Sequence, residues 1–233
     1  MTFPRSSLAT LSSATRNILF INRAQPKWDA SLSAGNNQSQ LALTTGFEQR
    51  QALDYVLHLR SNLSRRLSAE ADVENSLKTS ENQAFESRNF RIQGWELGPT
   101  MTWLPVRGFR LVADVKWRQG QNTLPSAERA TQTNWTGELI WNPTSKANAQ
   151  GFRAATSLRL KGTFADVRYT GSANSAVAFA MLEGLQDGKN FLWNLILDRQ
   201  LSKAMQLSLN YEGRKTGESR VIHVARAQVR AVF

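Results

Sequence analysis

Few side chains in this sequence can carry reaction chemistry. His58 and His223 are its two histidines, and it has no cysteine. Without cysteine there are no disulfides, thiolate zinc sites, iron–sulfur clusters or thiol nucleophiles. Asp54 stands four residues before His58, and this spacing is the one that invites a hydrolase reading. On an extended strand, four residues span ~13 Å, too far for a hydrogen bond, so His58 would need a partner from another strand. No G-x-S-x-G, P-loop, dinucleotide fingerprint or metal-ligand spacing is present. The expectation is therefore no catalytic residue, no metal and no cofactor. The remaining chemistry is electrostatic: 29 Lys+Arg against 18 Asp+Glu, a net charge of +11 on 233 residues.

The elements that must hold those charges alternate with period 2. In 109–118, Phe109, Leu111, Ala113, Val115 and Trp117 fall on one face, and Arg110, Val112, Asp114, Lys116 and Arg118 on the other. A strand separates these sets, whereas a helix would scatter them. The same pattern recurs in 53–63, 67–77, 133–142, 152–164, 190–198 and 204–214. Less regular strands are expected at 17–23, 28–34, 39–48 and 88–103, with a bulge near Gly94 where the phase breaks. A final strand is expected over 220–233. The count is about twelve strands, in one domain over 17–233, preceded by a flexible extension or the remainder of a longer chain over 1–16. Residues 174–184, NSAVAFAMLEG, predict a short helix with an Asn/Ser cap and a Gly stop, set in the longest loop.

Alternation alone does not say which face points inward. A soluble sandwich buries its apolar face. A transmembrane barrel turns that face to lipid. Segments of 10–12 residues suit a tilted membrane span better than the roughly 5–6 of soluble strands. Trp103, Phe109, Trp117, Trp135, Trp141, Phe152, Phe164, Phe191 and Tyr211 fall on apolar faces near strand ends, as interfacial aromatic girdles do. The longer connections 79–87, 119–130 and 166–189 alternate with short ones at 64–66, 104–108 and 201–203, but 143–150 is intermediate where a short one is expected, and 24–26 and 50–52 are short where long ones are expected. No run of 18 apolar residues is available for a membrane helix.

The last strand decides between the two. Phe233 ends the sequence, and Ala227, Val229 and Ala231 precede it in phase. This ending resembles the C-terminal assembly signal of bacterial outer-membrane barrels. The stretch NSAVAFAMLEGLQDGKNFLWNL, with LSKAMQLSLNYEGRK and VIHVARAQVRAVF, also resembles the C-terminal ends of large outer-membrane proteins of the Bacteroidota. The resemblance covers mainly the last 60 residues. It implies an all-β, antiparallel, up-and-down transmembrane barrel, located in the bacterial outer membrane. It further implies that the barrel-assembly machinery reads the last strand. No signal sequence stands at the start of this chain, so the expectation is either a signal already removed or the C-terminal part of a longer precursor with a preceding domain.

Under that reading the polar face lines a lumen. Its charges are Arg60, Arg110, Asp114, Lys116, Arg118, Arg159, Lys161, Glu70, Asp72, Glu74, Arg226 and Arg230. Twelve strands lie between barrels filled by side chains and barrels with open channels. Glu70, Asp72 and Glu74 suit a neighbouring strand bearing His58 and Arg60, which favours a filled or narrow interior. The expected function is a membrane-embedded anchor or narrow pore with a mixed, net basic lining. Its partners are outer-membrane lipid and lipopolysaccharide. Two alternatives remain: a soluble, basic all-β protein binding nucleic acid or another polyanion, and a barrel hydrolase. The first is weakened because most aromatics fall opposite most basic residues, so no stacking platform forms and nucleic acid is not expected.

Overall fold

Period-2 alternation organises nearly the whole chain into paired strands. The computed structural model describes residues 10–22, 27–43, 46–124, 127–143, 155–202 and 204–231. The strands are β1 (Thr10–Ile21), β2 (Trp28–Leu43), β3 (Gly46–Ser64), β4 (Leu67–Asn82), β5 (Phe90–Trp103) and β6 (Phe109–Asn122). They continue as β7 (Arg129–Trp141), β8 (Thr156–Thr170), β9 (Gly188–Ser202), β10 (Met205–Thr216) and β11 (Ile222–Ala231). A 3₁₀ turn, Glu86–Arg88, precedes β5, and helix α1 (Ala176–Leu182) lies between β8 and β9. All eleven strands form one antiparallel sheet in sequence order, each hydrogen-bonded to its chain neighbours.

Several expectations are corrected. Eleven strands stand among the described residues, where about twelve were expected. The first begins at Thr10, so residues 10–16 belong to the sheet and not to an extension. Residues 28–34 and 39–43 belong to one strand, because β2 runs unbroken through Gly35, Asn36 and Asn37, and residues 46–48 of the expected 39–48 strand begin β3. A Cβ at Gly35 would press on the Asp54 carboxylate from β3, which would have to shift. Gly35 lies between Arg16 on β1 and Asp54 on β3, and its bare backbone lets those two approach to 4.0 Å. Of the strand expected over 152–164, residues 152–154 lie outside the described residues, and β8 runs from Thr156 past 164 to Thr170.

The expected bulge at Gly94 is absent. Gly94 pairs in register with Ser76 on one side and Gly120 on the other. Register shifts occur instead between Asn62 and Ser64, and between Met205 and Gln206. The phase break at Gly94 has a different cause. Phe90 and Ile92 are apolar side chains on the otherwise polar face, where they pack under α1.

The ladder fixes the two faces. Leu19, Leu32, Leu57, Val73, Leu97 and Trp117 lie directly across from one another in one row. The next row, Ile18, Ser33, Val56, Glu74, Glu96, Arg118 and Gln132, points the opposite way. One face is thus apolar across the sheet and the other is polar.

Helix α1 forms where expected. Ser175 caps it, its side chain accepting from the Ala178 N–H at 3.0 Å. Glu183 ends it in the left-handed conformation, followed by Gly184. Val177, Ala178, Met181 and Leu182 are buried against Ile92, Ala130, Ala165 and Val167. This apolar cluster sits on the polar face, at the end of the sheet that carries the 171–187 loop.

Candidate functional site: a charged face and the helix on it

All twelve charges expected to line a lumen share the polar face: Arg60, Glu70, Asp72, Glu74, Arg110, Asp114, Lys116, Arg118, Arg159, Lys161, Arg226 and Arg230. The β3–β4 pairing works as the sequence suggests. His58 Nδ1 lies 2.7 Å from Asp72 Oδ1, and Arg60 Nε lies 3.6 Å from Glu70 Oε1. His58 thus meets Asp72 from the neighbouring strand, not Asp54 on its own. Ser31 lies directly across from His58 on β2, but no hydrogen bond joins them. His58 and Asp72 are a hydrogen-bonded pair across the β3–β4 ladder.

The tightest charge cluster was only partly visible in the sequence. Glu96 accepts from Arg118 Nε at 2.7 Å and lies 3.4 Å from Lys116 Nζ. Arg118 also reaches Glu183 at the end of α1, at 2.9 Å, and Lys78 lies 3.7 Å from the same carboxylate. Glu183 therefore anchors the helix to β4 and β6. Only a small cavity of ≈ 50 Å³ remains between helix and sheet. Glu96 and Lys78 escaped the sequence reading because Glu96 lies in the segment whose phase seemed broken.

A second anchor holds the start of the helix. Glu128, buried before β7, accepts from Tyr169 Oη and Ser175 Oγ, each at 3.0 Å, and from Asn122 Nδ2 at 3.1 Å. Asn82, Asn122 and Asn190 stand at strand ends on this side, buried, with their side chains bonded to loop backbone. Such asparagines satisfy turn backbone that has no ladder partner. Their signal in sequence is an Asn at the junction of an alternating run and a loop.

The polar face is divided across the sheet. Carboxylates gather on β3–β5, at Asp54, Glu70, Asp72, Glu74 and Glu96. Basic groups outnumber carboxylates on β8–β11, where Arg159, Lys161, Arg214, Arg226 and Arg230 share the face with Asp198 and Glu212. Arg159 pairs with Glu138 at 3.2 Å, whereas Lys161, Arg214, Arg226 and Arg230 form no ion pair among the described residues.

Most aromatic side chains of the strands occupy the other face, with Phe20, Phe90 and Tyr169 on the polar one. Trp103, Phe109, Trp117, Trp135, Trp141, Phe164, Phe191 and Tyr211 all lie there, joined by Trp95 and Trp193. Ala227, Val229 and Ala231 of β11 share that face, opposite Leu209, Leu207 and Met205. Phe152 and Phe233 lie outside the described residues. No element of the described chain covers this face: Trp117 is 53% exposed, Trp135 54% and Tyr55 57%. His223 also lies on it, its Nδ1 2.8 Å from Tyr211 Oη, beside Trp193. Gly213 is open enough for the Trp193 ring to lie against its backbone, where a Cβ would collide with the indole.

No family model and no curated protein matches this chain. Among the described residues, no group of His, Asp or Glu is arranged to hold a metal ion. No helix is long and apolar enough to cross a membrane, which says nothing about crossing by strands.

Proposed function

We propose that this chain is a β-barrel of the bacterial outer membrane, serving as an anchor or a narrow pore. The observation that carries the reading is the inverted dressing of the sheet. Its charged face holds the ion pairs and the helix, while its apolar face holds none of the described elements. Residues such as Leu19, Leu32, Tyr55, Val73, Trp117, Trp135 and Leu160 are each about half exposed on that face. Full burial of such a side chain is worth about 1.5–3 kcal/mol, so half-exposure of ten or more forgoes roughly 10 kcal/mol. That is comparable with the whole net stability of a typical domain, about 5–15 kcal/mol. Lipid recovers this energy, and water does not. The polar face then lines the interior, narrowed at one end by α1. Basic groups at the loop end, such as Arg168, Lys189 and Lys215, meet the phosphates of lipopolysaccharide.

The aromatic and basic faces are opposed, so the polyanion-binding reading finds no mixed surface in its favour. Brominated-lipid quenching tests the membrane reading. In vesicles whose acyl chains carry bromine, the tryptophans of the apolar face should lose most of their fluorescence. Unquenched tryptophans in a folded protein would refute the assignment.

A further inference from the structure

We propose that a groove over β8–β11 on the polar face binds a small organic anion with an apolar body, of the aryl-substituted monocarboxylate class. The inference rests on the membrane reading above and deepens it, since it names the solute that the interior holds or passes. Two neighbouring rows of the ladder build the groove. One runs Thr163, Leu192, Arg214 and Ile222, and the next runs Lys161, Asn194, Glu212 and Val224. These side chains line an open cavity of ≈ 460 Å³. Small-molecule sites have about this size, ~300–1,000 Å³, and combine apolar walls with a few placed polar groups.

The floor of the groove is out of phase with the face it occupies. Leu192, Ile222 and Val224 are apolar side chains set among charges, with Ile222 46% and Val224 41% exposed. Phe90 and Ile92 break the phase of the same face because α1 packs on them. Among the described residues that helix cluster takes in Ala165 and Val167 of β8 and stops short of Leu192, Ile222 and Val224. Apolar surface that faces a watery interior gains from a solute with an apolar body that covers it.

The polar groups of the groove set the charge of that solute. Arg214 stands between Leu192 and Ile222, and Lys161 stands on β8 across from Asn194. The carboxylates nearby are held by other partners. Glu138, across from Lys161, lies 3.2 Å from Arg159 Nε. Glu212 accepts from Asn210 Nδ2 at 2.7 Å, and Asn194 Nδ2 donates to Asn210 Oδ1 at 2.9 Å. Two cations therefore flank an apolar floor whose own carboxylate is already engaged. The planar fork of a guanidinium matches a carboxylate, so Arg214 takes the anionic head and Lys161 adds a point charge. A neutral sugar would leave the cations unmatched, and a simple inorganic anion would leave the floor bare.

The chain has no native cysteine, so Thr163→Cys puts a single reporter thiol at the wall of the groove. Ser68→Cys, on the polar face of β4, reports on a remote site. Each variant is refolded into lipid nanodiscs, and its modification by a water-soluble methanethiosulfonate is timed with phenylbutyrate, phenylbutanol or acetate present. The first carries head and body, the second the body alone and the third the head alone. Phenylbutyrate at about ten times its Kd should slow modification of the Thr163→Cys protein about tenfold. The Ser68→Cys protein should react at its usual rate, and phenylbutanol and acetate should protect neither. Adding Lys161→Gln with Arg214→Gln, or Ile222→Thr with Val224→Thr, should remove the protection. Equal protection by phenylbutanol would mean an apolar slot without charge selection, and equal protection by acetate a plain anion site. Either overturns the inference, as does protection that survives loss of both cations. Unslowed modification by phenylbutyrate in protein that has entered the nanodiscs overturns it too, and leaves the membrane reading standing. Failure of the parent chain to enter nanodiscs would instead overturn the membrane reading itself.

Discussion

Glu128 and Glu183 hold the two ends of α1 by different means, and single substitutions should separate them. Glu128 is buried and accepts side-chain hydrogen bonds from Asn122, Tyr169 and Ser175 among the described residues. Glu128→Ala leaves those donors without their acceptor, at about 1–3 kcal/mol for each that water cannot reach. The expected result is a lower urea midpoint and early proteolysis within 171–187. Glu183 is half exposed, with Lys78 and Arg118 beside it. Exposed pairs are worth roughly 0–1 kcal/mol, so Glu183→Gln should barely move the midpoint. If α1 narrows a pore, the same change should raise single-channel conductance, and an unchanged conductance would remove the helix from the conduction path. The basic groups on β8–β11 make a further residue-scale prediction. Charged rings set pore selectivity, so Lys161→Glu with Arg226→Glu should move the preference from anions toward cations, read as a shift in reversal potential under a salt gradient. Of this site, the His58–Asp72 and Arg60–Glu70 pairs were legible in sequence, since alternation put them on one face. Glu128 was not, because it lies in a loop where no periodicity applies.

At the scale of elements, the strands were legible wherever one face was uniformly apolar, as in β6, β7 and β10. The misreadings share a physical origin, in that the alternation there answers to a local neighbour. Phe90 and Ile92 are apolar on the polar face because α1 lands on them. Gly35 resembles a turn residue but makes room for the Arg16–Asp54 contact. Residues 10–16 are mostly small and polar, so their place in β1 comes from pairing with β2 and not from pattern. The helix was legible because its cap, apolar stripe and stop are all local. The assignment of faces can be tested on β8, where Leu160 and Lys161 are adjacent and point opposite ways. An arginine facing lipid near the midplane costs about 2–4 kcal/mol. Leu160→Arg should therefore depress insertion into lipid vesicles sharply, whereas Lys161→Arg should leave it unchanged. Equal effects of the two would mean that the faces are not distinguished by lipid.

For the molecule as a whole, one antiparallel sheet carries most of its charges on one face and most of its aromatics on the other, with charges on the apolar face, such as Arg91, Arg168 and Lys189, near strand ends. Net charge and missing cysteines only narrowed the field. The side-to-side division of carboxylates and basic groups emerged from the order of the strands, which a single sequence does not display. The loop asymmetry also holds in part. Loops 83–89, 123–128 and 171–187 lie at the end that carries α1, and turns 65–66 and 104–108 at the other. The β7–β8 connection lies mostly outside the described residues. The most direct test of a membrane-embedded barrel is refolding from urea into detergent micelles, followed by a gel of unboiled and boiled samples. The account predicts faster migration of the unboiled protein, with a β-type circular dichroism spectrum. A monodisperse protein in detergent-free buffer, with no shift on boiling, would contradict it.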